Sequence, residues 1–345
     1  MGKTSKEFWD ERSRKIGKKK KRRKNARRYG SDEGSSVIAQ LPQNNWSDSD
    51  YICTAPECFS FIYNLEGSSK FFNEMLRFFG RGMPESRILI ESKNVKKVTT
   101  DAIMYLIALM RNCRLSKEKL YSFLGTYPED LEARQTYIES GLLKFVRSRT
   151  KQLPENTSKM SIMCGKNNDA AAAGKICAFV MDKFQKEREY TSELYEGIVE
   201  MMSNVYYHAY EEKGVMRPEW YMYAEYKQEE IQFLFLDTGL GIGKTIKKHS
   251  LYEKVVNKIG IGSESKLIKS ALDGDFRTQT GKPNRGKGLP SINDLAHNNK
   301  IKDFHIISGG GHCWINENGI FECEDLSNKI NGTIYCFAVR NLEVV

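Results

Sequence analysis

This 345-residue chain carries 8 cysteines, at 53, 58, 113, 164, 177, 313, 323 and 336, yet it has no C-x-x-C pair. Nor does any His–Cys cluster show zinc spacing, which argues against a structural metal site and leaves buried free thiols in a reduced chain as the expectation. No run approaches the ~18 apolar residues that a membrane span requires. The basic N-terminus is not followed by an apolar core of a signal peptide, so the chain reads as cytoplasmic. Net charge is also missing from most of the sequence. Residues 1–30 hold 14 Lys plus Arg against 3 Asp plus Glu, whereas the remainder holds 40 against 41, so the formal charge of +10 is +11 from the first thirty residues and −1 from the rest.

What is present begins with that basic segment. KKKKRRKNARR, ending at Arg28, repels itself and has no apolar periodicity, so residues 1–50 are expected to be a disordered tail and linker. Such a tail either attaches loosely to nucleic acid or an anionic surface by counterion release, or only solubilises the chain. Both readings stay open.

Residues 51–160 have the pattern of an α/β module. Tyr51–Ile62 predicts one or two strands, Ser69–Phe79 an amphipathic helix, and RILIE (Arg87–Glu91) a short buried strand. Thr99, Thr100 and Asp101 offer N-caps for a helix whose apolar stripe is Ile103, Leu106, Ile107 and Met110. Tyr121–Gly125 predicts another strand, and Asp130–Ser140 a helix closed by Gly141. The strand ILIES, the segment TTDAIMYL, and YSFLG followed by ARQTYIESGLLKFV together resemble the STAS-like domains of anti-sigma-factor antagonists. That resemblance implies a phosphorylatable residue near Thr100, although helix capping explains the same threonine.

In residues 161–345, Asp169 predicts the cap of a helix over Ala171–Lys186, and Thr191 or Ser192 the start of another. In the second helix Leu194, Ile198, Met201 and Val205 recur at i, i+4, i+7 and i+11 and define a buried stripe. Glu200, Asn204 and His208 form a polar row beside that stripe, where either a cleft or a solvated face would lie. The stretch FLDTGLGIGKTI (235–246) then raises the possibility of a nucleotide loop. A P-loop needs glycine where Thr238 stands, and the dinucleotide pattern puts its third glycine on Lys244. What remains is Asp237-x-Gly239-x-Gly241-Ile242, with a carboxylate at the end of a strand. Downstream, Arg285-Gly286-Lys287-Gly288-Leu289 precedes the helix PSINDLA, and Gly332-Thr333 opens the strand TIYCFAV.

In order and spacing these four motifs resemble those of the GHKL ATPases, which include gyrases, histidine kinases and the anti-sigma-factor serine kinases. The resemblance covers about residues 165–342. It implies a Bergerat-fold α/β sandwich, a mixed sheet with helices on one face, and it implies the cofactors ATP and Mg²⁺. Asp237 would accept a hydrogen bond from the adenine amino group, with Gly239, Gly241 and Ile242 along the base and Thr333 on the adenine side. Asn204 would supply an oxygen to Mg²⁺, and His208 would approach the phosphates or brace its helix. Arg285, Gly286, Lys287, Gly288 and Leu289 would face the phosphates. Glu200 would be the general base, acting on water or on a substrate hydroxyl. Thr245–Asn284 would be an ATP lid, with helical spacing over Ser250–Lys258 and Ser263–Leu272, and Lys244 a lid-base residue without a catalytic task.

An ordinary histidine kinase is not expected, because none of the 5 histidines precedes an acidic residue in a long dimerisation helix. The chain stops at Val345, soon after its last core strand, so a gyrase-type machine is not expected either. The leading expectation is a Mg-ATP-binding regulator that hydrolyses ATP or phosphorylates a Ser/Thr of a protein partner. The alternative is a non-catalytic module whose lid gates binding of a partner or nucleic acid. The family also leaves a homodimer open.

Overall fold

A computed structural model describes residues 50–81, 87–115, 122–142, 157–208, 219–247, 250–259, 263–276, 288–297, 300–316 and 318–341. The expected tail therefore lies outside the described residues, apart from Asp50, which opens the first strand. Tyr121 and the Arg285–Lys287 segment lie outside as well.

The first module alternates strands and helices: β1 (Asp50–Thr54), β2 (Cys58–Phe59), α1 (Leu65–Arg81), β3 (Arg87–Glu91), β4 (Lys97–Val98), α2 (Thr100–Leu115), β5 (Ser122–Gly125) and α3 (Leu131–Glu139). Helical crossovers return each strand in the same direction, so β1, β3 and β5 form a parallel three-stranded sheet in that order. β2 and β4 pair separately, also in parallel. α3 follows its local code. The Asp130 side chain accepts the Ala133 N–H at 2.9 Å, and Gly141 beyond the C-cap has φ +82°. α1 starts before the predicted Ser69, because Asn64 Oδ1 accepts the N–H of Gly67 and captures an earlier turn. Asp101 is not a simple cap. Its buried carboxylate accepts the N–H of Phe61 at 2.8 Å and of Ile62 at 3.2 Å, tying α2 to the segment after β2.

The second module contains β6 (Met163–Gly165), α4 (Ala170–Phe184), α5 (Ser192–His208), β7 (Trp220–Lys227), β8 (Glu230–Asp237), α6 (Ile242–Ile246), α7 (Tyr252–Ile259), α8 (Glu264–Leu272), α9 (Gly288–His297), β9 (Ile301–Ser308), β10 (Gly311–Ile315), β11 (Phe321–Asp325) and β12 (Thr333–Arg340). Its seven-stranded sheet has the order β11-β10-β9-β12-β8-β7-β6. Every neighbouring pair is antiparallel, so the expected mixed sheet is corrected to an antiparallel one. Tight hairpins are part of the reason. Gln228 and Glu229, both at positive φ, turn β7 into β8, and Gly309 and Gly310 turn β9 into β10.

The second module's own helices pack on one face of this sheet, and the first module covers the other. Residues alternate along each strand, so Phe233 and Phe235 of β8 face the core beneath α4, α5, α8 and α9, whereas Leu234 and Leu236 face the opposite way. Tyr221, Tyr223, Ile307 and Ile334 share that second face, and they form one hydrophobic cluster with the first module. The two predicted modules therefore meet in a common core. α2 lies at its centre, and every residue from Asp101 to Met110 is buried. An apolar stripe was expected there; a helix buried all round takes its place.

Two further expectations change. α8, assigned to the lid, is a core helix: Leu267, Ile268, Ala271 and Leu272 are buried against the sheet. Glu264 at its start accepts the Gly310 N–H and pairs with Lys329 at 2.7 Å, and the Ser265 N–H donates to Asp325 Oδ1 at 3.0 Å. Of the expected lid, residues 277–284 lie outside the described residues. Cys313 and Cys323 stand directly opposite on β10 and β11 and form a disulfide, against the expectation of free thiols alone. Only strand register brings this pair together. Cys53, Cys58, Cys164, Cys177 and Cys336 are free.

Candidate functional site

β8 runs through FLFL (233–236) and ends on a carboxylate. Asp237 is its last residue, paired with Thr333, the first of β12, on one side and with Trp220, the first of β7, on the other. The side chain is only 5% exposed. One carboxylate oxygen accepts the Gly239 N–H at 2.7 Å, and Thr333, the β12 partner of Asp237, favours the charged form of the carboxylate. Burial nevertheless dominates and pushes the Asp237 carboxyl up to about 7. A carboxyl held in fixed orientation at a strand end can accept a hydrogen bond from a neutral donor.

The turn after Asp237 depends on close backbone approach. Gly241 has φ +79°, and a Cβ there would lie 3.0 Å from both the Gly332 carbonyl and Ser308 Oγ. Gly332 has φ +82°, and its Cβ would fall 2.0 Å from the Asp237 carbonyl. Both positions exclude every other residue type without a shift of backbone. Ser308, which the sequence reading passed over, is the node that joins these strands. Its hydroxyl accepts the Ile242 N–H at 2.8 Å and lies 2.9 Å from Thr333 Oγ1 and 3.2 Å from the Gly332 carbonyl. The Ser-Gly-Gly-Gly run from 308 marked a tight turn, but nothing local pointed back to Ile242.

The GKT triplet of the 235–246 stretch does not form a phosphate loop. Gly243, Lys244 and Thr245 belong to the short α6; Lys244 is exposed, and Thr245 Oγ1 donates to the Gly241 carbonyl at 3.0 Å.

α5 keeps its predicted stripe: Leu194, Ile198, Met201 and Val205 are all buried. Glu200 and Asn204 are half-buried beside it, on the edge the spacing indicated, and His208 is the last residue of the helix, its side chain outside the described residues. Asn204 Nδ2 is buried and has no hydrogen-bond partner among the described residues. A buried amide in that condition costs free energy unless a ligand meets it. The neighbouring Ser203 hydroxyl accepts from Asn168 Nδ2 at 2.8 Å, and Trp220 Nε1 donates to the Asn167 carbonyl at 2.8 Å. Trp220 is the β-partner of Asp237, so this chain of contacts places the Asn204 end of α5 at the same end of the sheet as the Asp237 turn.

Gly288 and Leu289 open α9, and Arg285, Gly286 and Lys287 lie outside the described residues. α9 connects to β9 across residues 298–300 and packs against both β9 and α5. Asp237, Gly239, Gly241, Ile242 and Thr333 thus meet at one edge of the sheet, and the Asn168–Ser203 and Trp220–Asn167 bonds set the Asn204 end of α5 toward that edge. A small cavity lined by Val180, Leu194, Leu295 and Val339 lies at the other end of the same strands, is apolar, and has no converging acid or amide.

Compared with known proteins, the chain matches no protein-family model and no curated protein. The reading of this site therefore rests on its own residues.

Proposed function

We propose that this edge is a nucleotide pocket and that the protein is a Mg-ATP-binding regulator of the GHKL type, hydrolysing ATP or passing its γ-phosphate to a protein Ser/Thr. The observation that carries the reading is the pairing of a buried, hydrogen-bonded Asp237 at a strand end with an unpartnered Asn204 amide on the facing helix. Asp237 supports adenine selection, because its second acceptor capacity suits an exocyclic amino donor. The Gly239 N–H holds the carboxylate in place. The Asn204 amide suits a phosphate oxygen through nitrogen or, turned over, a Mg²⁺ through oxygen, since a hard ion takes oxygen and keeps its waters. Such an ion would neutralise phosphate charge. Glu200, one helical turn before Asn204, is the residue placed to take a proton from water or from a substrate hydroxyl. The N-terminus of α9 would favour an anion nearby, as helix N-termini do.

The test is ATP turnover and binding measured on the same preparations, with labelled γ-phosphate scored as free phosphate or protein-bound label. Glu200→Ala is expected to bind Mg-ATP and to lose at least ~100-fold in turnover. Asp237→Asn is expected to lose binding far more than Lys244→Ala does. Retained turnover in Glu200→Ala removes the general-base assignment. Binding by the wild type with turnover at background supports the gated, non-catalytic alternative. The reverse order of the Asp237 and Lys244 effects removes the adenine assignment.

A further inference from the structure

The same edge is held from behind by a helix of the first module. Asn112 of α2 donates from Nδ2 to the hydroxyl of Thr238, the residue directly after Asp237. Tyr105, seven positions earlier and so on the same face of α2, binds Asn331 twice. Its hydroxyl donates to the Asn331 carbonyl and accepts the Asn331 N–H, each at 2.9 Å. Asn331 leads directly into Gly332-Thr333, whose threonine is the β12 partner of Asp237. Arg111 Nε reaches the Tyr221 hydroxyl at 3.2 Å and the Glu219 carboxylate at 3.4 Å, and Tyr221 itself donates to Glu219 at 2.7 Å. Glu219 precedes Trp220, the β7 partner of Asp237. β7, β8 and β12, the three adjacent strands that frame Asp237, are therefore each held at that end by α2.

The bond between Asn112 and Thr238 is dry. Asn112 is 0% and Thr238 1% exposed, so water does not compete for the bond between them. Asn112 is also poorly chosen for packing alone, since its Oδ1 is buried without a partner. An apolar side chain would fill that space without an orphaned oxygen. What the asparagine adds is its grip on the Thr238 turn.

We infer that α2 is a positioning element for the pocket, with Asn112 as its principal contact, so that the first module and the occupancy of the Asp237 site are energetically coupled across the sheet. This rests on the nucleotide reading above. The coupling runs both ways: whatever shifts α2 changes nucleotide affinity, and nucleotide steadies α2 by the same factor.

The test is a double-mutant cycle on the full chain. Affinity for a non-hydrolysable ATP analogue with Mg²⁺ is measured by calorimetry for the wild type, Asn112→Ala, Thr238→Val and the double variant. Each single change is expected to weaken binding about 5- to 50-fold, and the double variant to be no worse than the weaker single, because both remove one contact. Hydrogen exchange supplies a readout that mere destabilisation does not move: the analogue is expected to slow amide exchange in α2 of the wild type and not of Asn112→Ala. If Asn112→Ala does not fold, the near-isosteric Thr238→Val carries both measurements. Unchanged affinity in the variants, with exchange in α2 indifferent to the analogue, overturns the coupling and leaves the nucleotide reading standing. A folded wild type that does not bind the analogue removes both.

Discussion

Asp237 sets the chemistry of the candidate site because its environment opposes its charge. Its ordinary pKa is 3.8, and burial raises it to about 7 in the folded chain. The folded state therefore binds a proton more tightly than the unfolded one, so this group stabilises the fold fully only below its unfolded pKa. That contribution is lost as pH rises from about 4 to about 7. Asp237→Asn is expected to flatten the fall in thermal stability over that window, followed by melting scans at a series of pH values. An amino donor on a ligand favours the charged carboxylate. Mg-ATP binding is accordingly expected to strengthen from pH 6 to pH 8 and to release a proton near neutrality. Calorimetry in buffers of different ionisation heat would detect that proton, and its absence would place the donor elsewhere.

At the scale of elements, α2 is the member on which the most depends. An amphipathic surface helix buries one stripe, whereas this one is buried from Asp101 to Met110. Leu106, 1% exposed, packs in the cluster that both modules share. Leu106→Ala is expected to cost roughly 2–5 kcal/mol, as a lost side chain plus the cavity left behind. Urea unfolding followed at probes in each module should then shift together. A shift confined to one module would mean that the shared cluster does not act cooperatively. α8 illustrates the opposite outcome of reading elements alone: its helical spacing was visible, but its apolar face turned out to cover β10 rather than to swing over a ligand.

For the molecule as a whole, the central question is whether the second module is complete by itself. Tyr221, Tyr223, Leu234, Leu236 and Ile334 are all 5% exposed or less, and α2 and its neighbours supply their cover. Removing residues 1–156 would uncover a contiguous apolar face on the sheet, the kind of surface that drives self-association. The fragment 157–345 is expected to aggregate or to recover solution behaviour only when the first module is supplied in trans, as sedimentation would show. A monomeric, folded fragment would indicate that the sheet tolerates an open face. Among the described residues no helix is long and apolar enough to cross a membrane.

Local physical chemistry alone determined a good part of this protein. The Asp130 cap and Gly141 stop of α3, the buried stripe of α5 and the strand ending on Asp237 all follow from neighbours a few residues apart. The apolar run FLFL even carried a sign that both faces of the sheet are covered, since a half-exposed strand would alternate. The tertiary structure alone decided what those elements meet. Ser308 and Ile242 are 66 residues apart, Asn112 and Thr238 are 126 apart, and Tyr105 and Asn331 are 226 apart. No periodicity spans such separations. Their contacts exist because packing one apolar sheet face requires a helix from a distant module, and that helix brings its polar end to the Asp237 turn.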